Sequence, residues 1–189
     1  MNKIGDKRLA VLEGMLRLVS KNGFHGTAMS KVAKESKVST GIIYHYFDSK
    51  DHLIDELYRH VKRDFGRAVL EEIDQTQPLS MQVRQMLRAM LKHYMAHPLN
   101  AGFVEQYIKS PYYRPEIAQE VSQHYMFIVE IFTQATQEMV IKELPPAVTK
   151  TMTIDVMSSL AQQHAAGHFE MTDELTEQIV DALWEAIRR

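Results

Sequence analysis

The sequence contains no cysteine. A disulfide framework, a thiolate-ligated zinc, an iron–sulfur cluster and thiol catalysis are therefore excluded. The absence accords with a reducing compartment, and a cytoplasmic location is expected. Glycine and proline are scarce, at 8 and 6 of 189 residues. No strand pattern of period two appears, and helical periodicity dominates. Apolar runs are only a few residues long, against the roughly 20 that a membrane helix needs. The N-terminus has no apolar segment of the kind that marks a secretory signal. Neither sign of charge prevails. The 22 Lys+Arg and 24 Asp+Glu leave a net charge of −2, a total that by itself would not suggest nucleic-acid binding.

What is present is unevenly distributed. Residues 1–47 hold eight basic residues, at 3, 7, 8, 17, 21, 31, 34 and 37, and three acids, at 6, 13 and 35, for a net of +5. The remaining 142 residues carry 14 basic and 21 acidic groups, a net of −7. A basic end on an otherwise acidic chain is the electrostatic footprint of a nucleic-acid-binding head. Lys3, Lys7 and Arg8 would add phosphate attraction, or form a solvated tail.

The periodicity predicts an all-α fold of about nine helices. Leu9, Leu12, Leu16 and Val19 mark the first, with Gly23 placed to end it in a left-handed cap. Thr27 is a candidate N-cap for a short second helix, and Ser39 for a third. A long fourth helix is capped by Asp48 or Ser49 and reads to about Ile73. Gln77-Pro78 separates it from a fifth, which ends before Pro98, and a short sixth carries Phe103 and Tyr107. Pro115 opens a seventh that reads through to Met139. An eighth runs from about Ala147 to Phe169, and Thr172 caps the ninth. The expected division is a helix-turn-helix domain over 1–47 and a helical ligand-binding and dimerisation domain over 48–189.

The segment from Thr27 to Phe47 carries the chemistry. Two short helices meet at a tight turn near Ser36–Val38, and the second is small and polar on one side. In a helix-turn-helix the second helix enters the major groove while the first crosses the backbone. Gly41 would let that helix come close to DNA. The hydroxyls of Ser39 and Thr40 and the rings of Tyr44, His45 and Tyr46 can meet bases or phosphates. Thr27, at the start of the second helix, and Lys50, at the start of the fourth, complete the candidate contacts.

These residues carry a resemblance. Gly26-Thr27-Ala28-Met29-Ser30-Lys31-Val32-Ala33, then Val38-Ser39-Thr40-Gly41-Ile42-Ile43-Tyr44-His45-Tyr46-Phe47, then Ser49-Lys50-Asp51-His52-Leu53 resemble the TetR family of transcriptional regulators over roughly residues 6–60. Three positions depart from the usual pattern. Lys37 stands where a turn glycine is common, Ile43 replaces a leucine, and Tyr46 replaces a histidine. The resemblance implies a homodimer that binds a palindromic operator as a repressor. It also implies a small-molecule effector that binds in the C-terminal core. No cofactor is implied.

Within the body, Met86, Met90, Phe103, Tyr107, Tyr125, Phe132 and Met157 lie on faces expected to meet inside, with His164 as a polar group to orient a ligand. The 12 methionines suit an adaptable apolar pocket. The small-residue stretch around Leu160, Ala161 and Ala165, with Phe169, Ile179, Leu183 and Trp184, is the expected dimer interface. His93/His97 and His164/His168 have the i,i+4 spacing of metal-ligand pairs. No neighbouring sequence offers a fixed third ligand, so no metal is expected. No histidine has a glutamate three residues before it, which excludes the di-iron helical-bundle signature. Gating by a protein partner instead of a small ligand is equally compatible with these residues.

Overall fold

The structure is a computed structural model that describes residues 3–189, with side chains from Lys7 onward. The side chain of Lys3, one of the expected head cations, lies outside that range. The described residues form helices and one isolated antiparallel bridge, between Ile141 and Arg188. In chain order the helices are α1 (Lys3–Asn22), α2 (Met29–Ser36), α3 (Thr40–Tyr46), α4 (Lys50–Leu70), α5 (Leu79–Ala96) and α6 (Pro98–Ile108). There follow α7 (Pro115–Ser122), α8 (Met126–Gln137), α9 (Pro146–Lys150), α10 (Val156–Ala165) and α11 (Asp173–Ile187), with a π-helical turn over Thr151–Asp155.

The helix ends follow local chemistry. Gly23 adopts φ +67, the left-handed conformation that closes α1. Ser49 caps α4, its Oγ accepting the His52 N–H at 3.0 Å. Thr172 caps α11, accepting the Leu175 N–H at 3.1 Å. Thr27 does not cap α2. The N-cap there is Ala28, with no side-chain bond.

Two expected helices are interrupted. The single helix expected from Pro115 to Met139 is broken at residues 123–125, between α7 and α8. A close approach accompanies the break: a Cβ on Gly66 of α4 would sit 2.1 Å from the His124 carbonyl oxygen. The chain bends there around a neighbour that has no side chain. The helix expected over Ala147–Phe169 contains the π turn and stops at Ala165, because Gly167 turns left-handed at φ +78. His168 therefore lies beyond the helix that holds His164, and the i,i+4 geometry expected of that pair is lost. The Nδ1 atoms of both rings are already hydrogen-bonded, His164 with the Phe169 carbonyl at 3.0 Å and His168 with Gln163.

The chain forms two compact units, and they do not divide after Phe47 as expected. The first runs to Val61 and adds Leu99–Ala118; the second is Lys62–Pro98 with Gln119–Arg189. α4 is continuous, and its first half supplies Leu53, Ile54 and Leu57 to the core of the first unit, each at most 1% exposed. Tyr107 of α6 is buried there too. It stacks on Tyr58 at 4.3 Å, and its hydroxyl donates to Asp55 at 3.3 Å. The Arg114 guanidinium pairs with the same carboxylate at 3.4 Å. The core of the second unit gathers Val83, Met86, Leu87 and Met90 of α5 with Ile128, Met157, Val180 and Leu183.

Candidate nucleic-acid interface

The first three helices pack on an apolar centre of Val11, Leu12, Met15, Val19, Val32, Val38, Ile43 and Phe47. The turn between α2 and α3 is Lys37-Val38-Ser39. Lys37 is left-handed at φ 56, ψ 30, and the Val38 N–H returns to the Ala33 carbonyl at 3.1 Å. That six-to-one bond ends α2 in a Schellman-type cap. A lysine in this conformation costs roughly 1 kcal/mol relative to the glycine common at the position.

α3 is seven residues long and two-sided. Ile43 and Phe47 are fully buried, and Ile42 is half-buried. Ser39, Thr40, Gly41, Tyr44 and His45 are exposed. Tyr44 leaves 49% of its surface open, unusually much for a large aromatic side chain. Gly41 has no atom within 4 Å of where a Cβ would stand, so internal packing does not require the glycine. Tyr46 is half-buried, with its ring at edge contact to His45 at 5.4 Å and to Phe47 at 6.2 Å. Its ring therefore helps seat the helix.

One expected contact residue is corrected, and a second is engaged within the chain. Thr27 is completely buried, and its hydroxyl donates to the Gly23 carbonyl at 2.9 Å. It ties the α1–α2 loop together and has no surface to offer a phosphate. Lys50 is half-buried. Its ammonium donates to the Phe24 carbonyl at 2.5 Å and lies 5.8 Å from the Tyr112 ring. Burial pushes its pKa down, partly opposed by Asp51. This cation braces a loop.

The basic surplus is likewise partly spent inside. Arg8 pairs with Glu56 and lies 5.3 Å over the Phe47 ring, so it is no frayed tail. Arg17 pairs with Glu35 at 2.7 Å. Lys7, Lys21, Lys31, Lys34 and Lys37 are exposed. The last three, on α2 and its cap, are missing from the sequence-based contact set, although the charge count of the first 47 residues includes them.

The second unit places the expected ligand residues less coherently. Met86, Met90 and Met157 do meet, and each is fully buried in the core. Tyr125 and Phe132 pack at its margin. Phe103 and Tyr107 belong to the first unit, where Phe103 lies 6.0 Å from Phe24. His164 bonds to the backbone of Phe169. The eight residues are thus divided between the two units. A cleft of about 510 Å³ opens elsewhere, along α4 and the α7–α8 break, lined by Arg63, Arg67, Leu70, His124, Met126 and Phe127 among others.

The expected dimer residues also divide. Ala161 and Leu183 are buried within the single chain and leave the interface set. Ala165 is exposed, and Leu160, Phe169, Ile179 and Trp184 are half-buried.

Comparison with known proteins settles the family. A model described as bacterial regulatory proteins, tetR family, matches residues 11–57. A second, described as tetracyclin repressor-like, C-terminal domain, matches residues 78–188, more than half of the chain. The chain belongs to the TetR family. An uncharacterized HTH-type transcriptional regulator of Haemophilus influenzae is 25% identical over 92% of this chain and 91% of its own. A TetR family transcription regulator from Marinobacter aquaeolei is 25% identical, with a TM-score of 0.89 over 97% of this chain and 96% of its own. A putative transcriptional regulator of the same family from Vibrio parahaemolyticus is 26% identical, with a TM-score of 0.75 over 97% and 99%. As a TetR-family member the chain is a DNA-binding transcriptional regulator, not an enzyme. No helix among the described residues is long and apolar enough to cross a membrane.

Proposed function

We propose that this regulator is a homodimeric cytoplasmic repressor that leaves a palindromic operator when a small amphipathic molecule binds its body. The observation that carries the reading is the exposed polar face of α3, with Ser39, Thr40, Gly41, Tyr44 and His45 outward while Ile43 and Phe47 anchor the helix. α3 enters the major groove, its N-terminal hydroxyls reaching base edges or phosphates and the Tyr44 and His45 rings reaching the adjacent strand. Lys31, Lys34 and Lys37 add a salt-dependent attraction to phosphates. Two copies related by a two-fold axis read two half-sites, which is why the operator is palindromic.

Dimerisation uses α10 and α11, through Ala165 and the outer surfaces of Leu160, Phe169, Ile179 and Trp184. The body takes its effector at the cleft beside α4, where Leu70, Met126 and Phe127 supply apolar surface and Arg63 and Arg67 supply charge. An amphipathic ligand matches that mixture better than a purely apolar one.

The test is direct. Operator fragments are selected from genomic DNA by the purified protein, and binding is then compared with the Tyr44→Ala variant. Loss of one specific contact is worth about 1–3 kcal/mol, so affinity should fall by about fivefold or more. Circular dichroism should stay unchanged, since Tyr44 is outside the core. Equal operator affinity in the variant would overturn the assignment of α3 as the reading helix.

A further inference from the structure

Among the described residues, one group of three can place ligand atoms within 4.8 Å of one another: Asp64 on α4, and His93 and His97 at the end of α5. The two imidazoles are one helical turn apart, with ring centroids separated by 4.7 Å. The carboxylate comes from a different helix, which is why no third ligand was visible near either histidine in the sequence.

His93 is the telling member. It is only 6% exposed, and its Nε2 is buried with no hydrogen-bond partner. A buried ring nitrogen left unpaired costs about 1–3 kcal/mol and calls for an explanation. Packing supplies the apolar side of the ring's surroundings, with Phe65 edge-on at 5.4 Å. Burial, reinforced by His97, holds the imidazole pKa down at about 4. It is therefore neutral at ordinary pH, the form that ligates metals. His97 is exposed, which leaves an entry path from solvent. Asp64 pairs with Arg67 at 2.5 Å, but the Arg67 side chain is 68% exposed, so that pair is a weak competitor.

We propose that Asp64, His93 and His97 bind a divalent first-row transition metal ion, which clamps α4 to the end of α5. Two imidazoles and one carboxylate suit Zn²⁺, Co²⁺ or Ni²⁺. The all-oxygen shell of Ca²⁺ and the soft thiolates favoured by Cu⁺ are absent from the group. Metal–ligand bonds of about 2.0–2.2 Å bring donors to roughly 3.3 Å from one another, so the three must close in. Asp64 and His97, nearer the surface, make that movement while His93 stays fixed by its packing. Water fills the remaining positions, and one carboxylate leaves the bound ion with a net charge of +1.

The experiment uses untagged full-length protein and Co²⁺ or Zn²⁺ alone, without DNA, so its outcome is independent of operator binding. Co²⁺ titration should give a visible d–d absorption band with one-to-one stoichiometry. Zn²⁺ should displace the Co²⁺ and raise the melting temperature. His97→Ala and Asp64→Asn, both at positions outside the core, should keep the native circular dichroism and weaken binding by more than about tenfold. His164→Ala should leave it unchanged. Unaltered affinity in both His97→Ala and Asp64→Asn, or loss of the band in His164→Ala alone, would overturn the site.

Discussion

Gly41 sits inside a helix, where glycine costs about 0.5–1 kcal/mol relative to alanine. Nothing within the chain needs the missing Cβ. Gly41→Ala should therefore raise stability by about 0.5 kcal/mol while weakening operator binding, because the added methyl group stands between α3 and the duplex. Denaturant melts and a gel-shift titration read the two effects separately. A variant that is more stable and binds equally well would show that α3 stays back from the DNA at this point. Asp55 offers a different residue-scale test. Burial pushes its carboxyl above the ordinary 3.8, with Arg114 and the Tyr107 hydroxyl partly opposing the rise. A carboxyl raised on folding holds its proton more tightly in the folded state. Its contribution is thus full below 3.8 and is lost as pH climbs toward the folded value. Asp55→Asn keeps an acceptor for Tyr107 and cannot ionise. As pH rises above the ordinary 3.8, the Asn variant should gain stability relative to wild type until the folded carboxyl has ionised. A pH-independent difference between the two would refute the assignment.

At the scale of elements, the join between α4 and the α7–α8 break leaves no room for a side chain at residue 66. A methyl group at residue 66 would meet the His124 carbonyl at 2.1 Å. Gly66→Ala should cost about 1–3 kcal/mol or more, measured as a drop in the denaturation midpoint, because backbone has to move aside. A midpoint like that of wild type would mean the two segments are further apart than described. The same join shows how much was legible in the sequence. The ends of α1, α5 and α11 could be read from Gly23, Pro98 and Thr172, because caps and breakers act within a few residues; Ser39 stands at the N-cap of α3, but its side chain makes no capping bond. The break at 123–125 could not be read, because the segment it packs on lies some sixty residues away on another helix, at Gly66. The site divides in the same way. Ser39, Thr40, Tyr44 and His45 could be read from their polarity on a short amphipathic helix. The burial of Thr27 and Lys50 depends on loops that fold back over them, and Asp64 reaches His93 only through tertiary packing.

For the molecule as a whole, the proposed pairing of two chains can be tested at α10 and α11. Trp184→Glu places a charge on the outer face of α11 and should yield monomers in sedimentation velocity. Trp184 also packs against the core of its own chain, so Ala165→Glu is the cleaner companion, being exposed and outside that core. Monomers from both variants, with native circular dichroism, are expected. Dimers from both would move the interface off α10 and α11. Monomers should also bind the operator far more weakly, since each would hold one half-site alone.

The π turn at Thr151–Asp155 carries one residue more than an uninterrupted α-helix would. Each residue of a helix advances the direction of side chains by about 100°. The turn therefore sets the rotational phase of α10, and with it the side chains turned outward. Losing one codon here would re-aim the α10 part of the proposed pairing surface without replacing a single side chain on it. If α10 pairs as proposed, a single in-frame deletion in this turn would change which side chains a second copy meets.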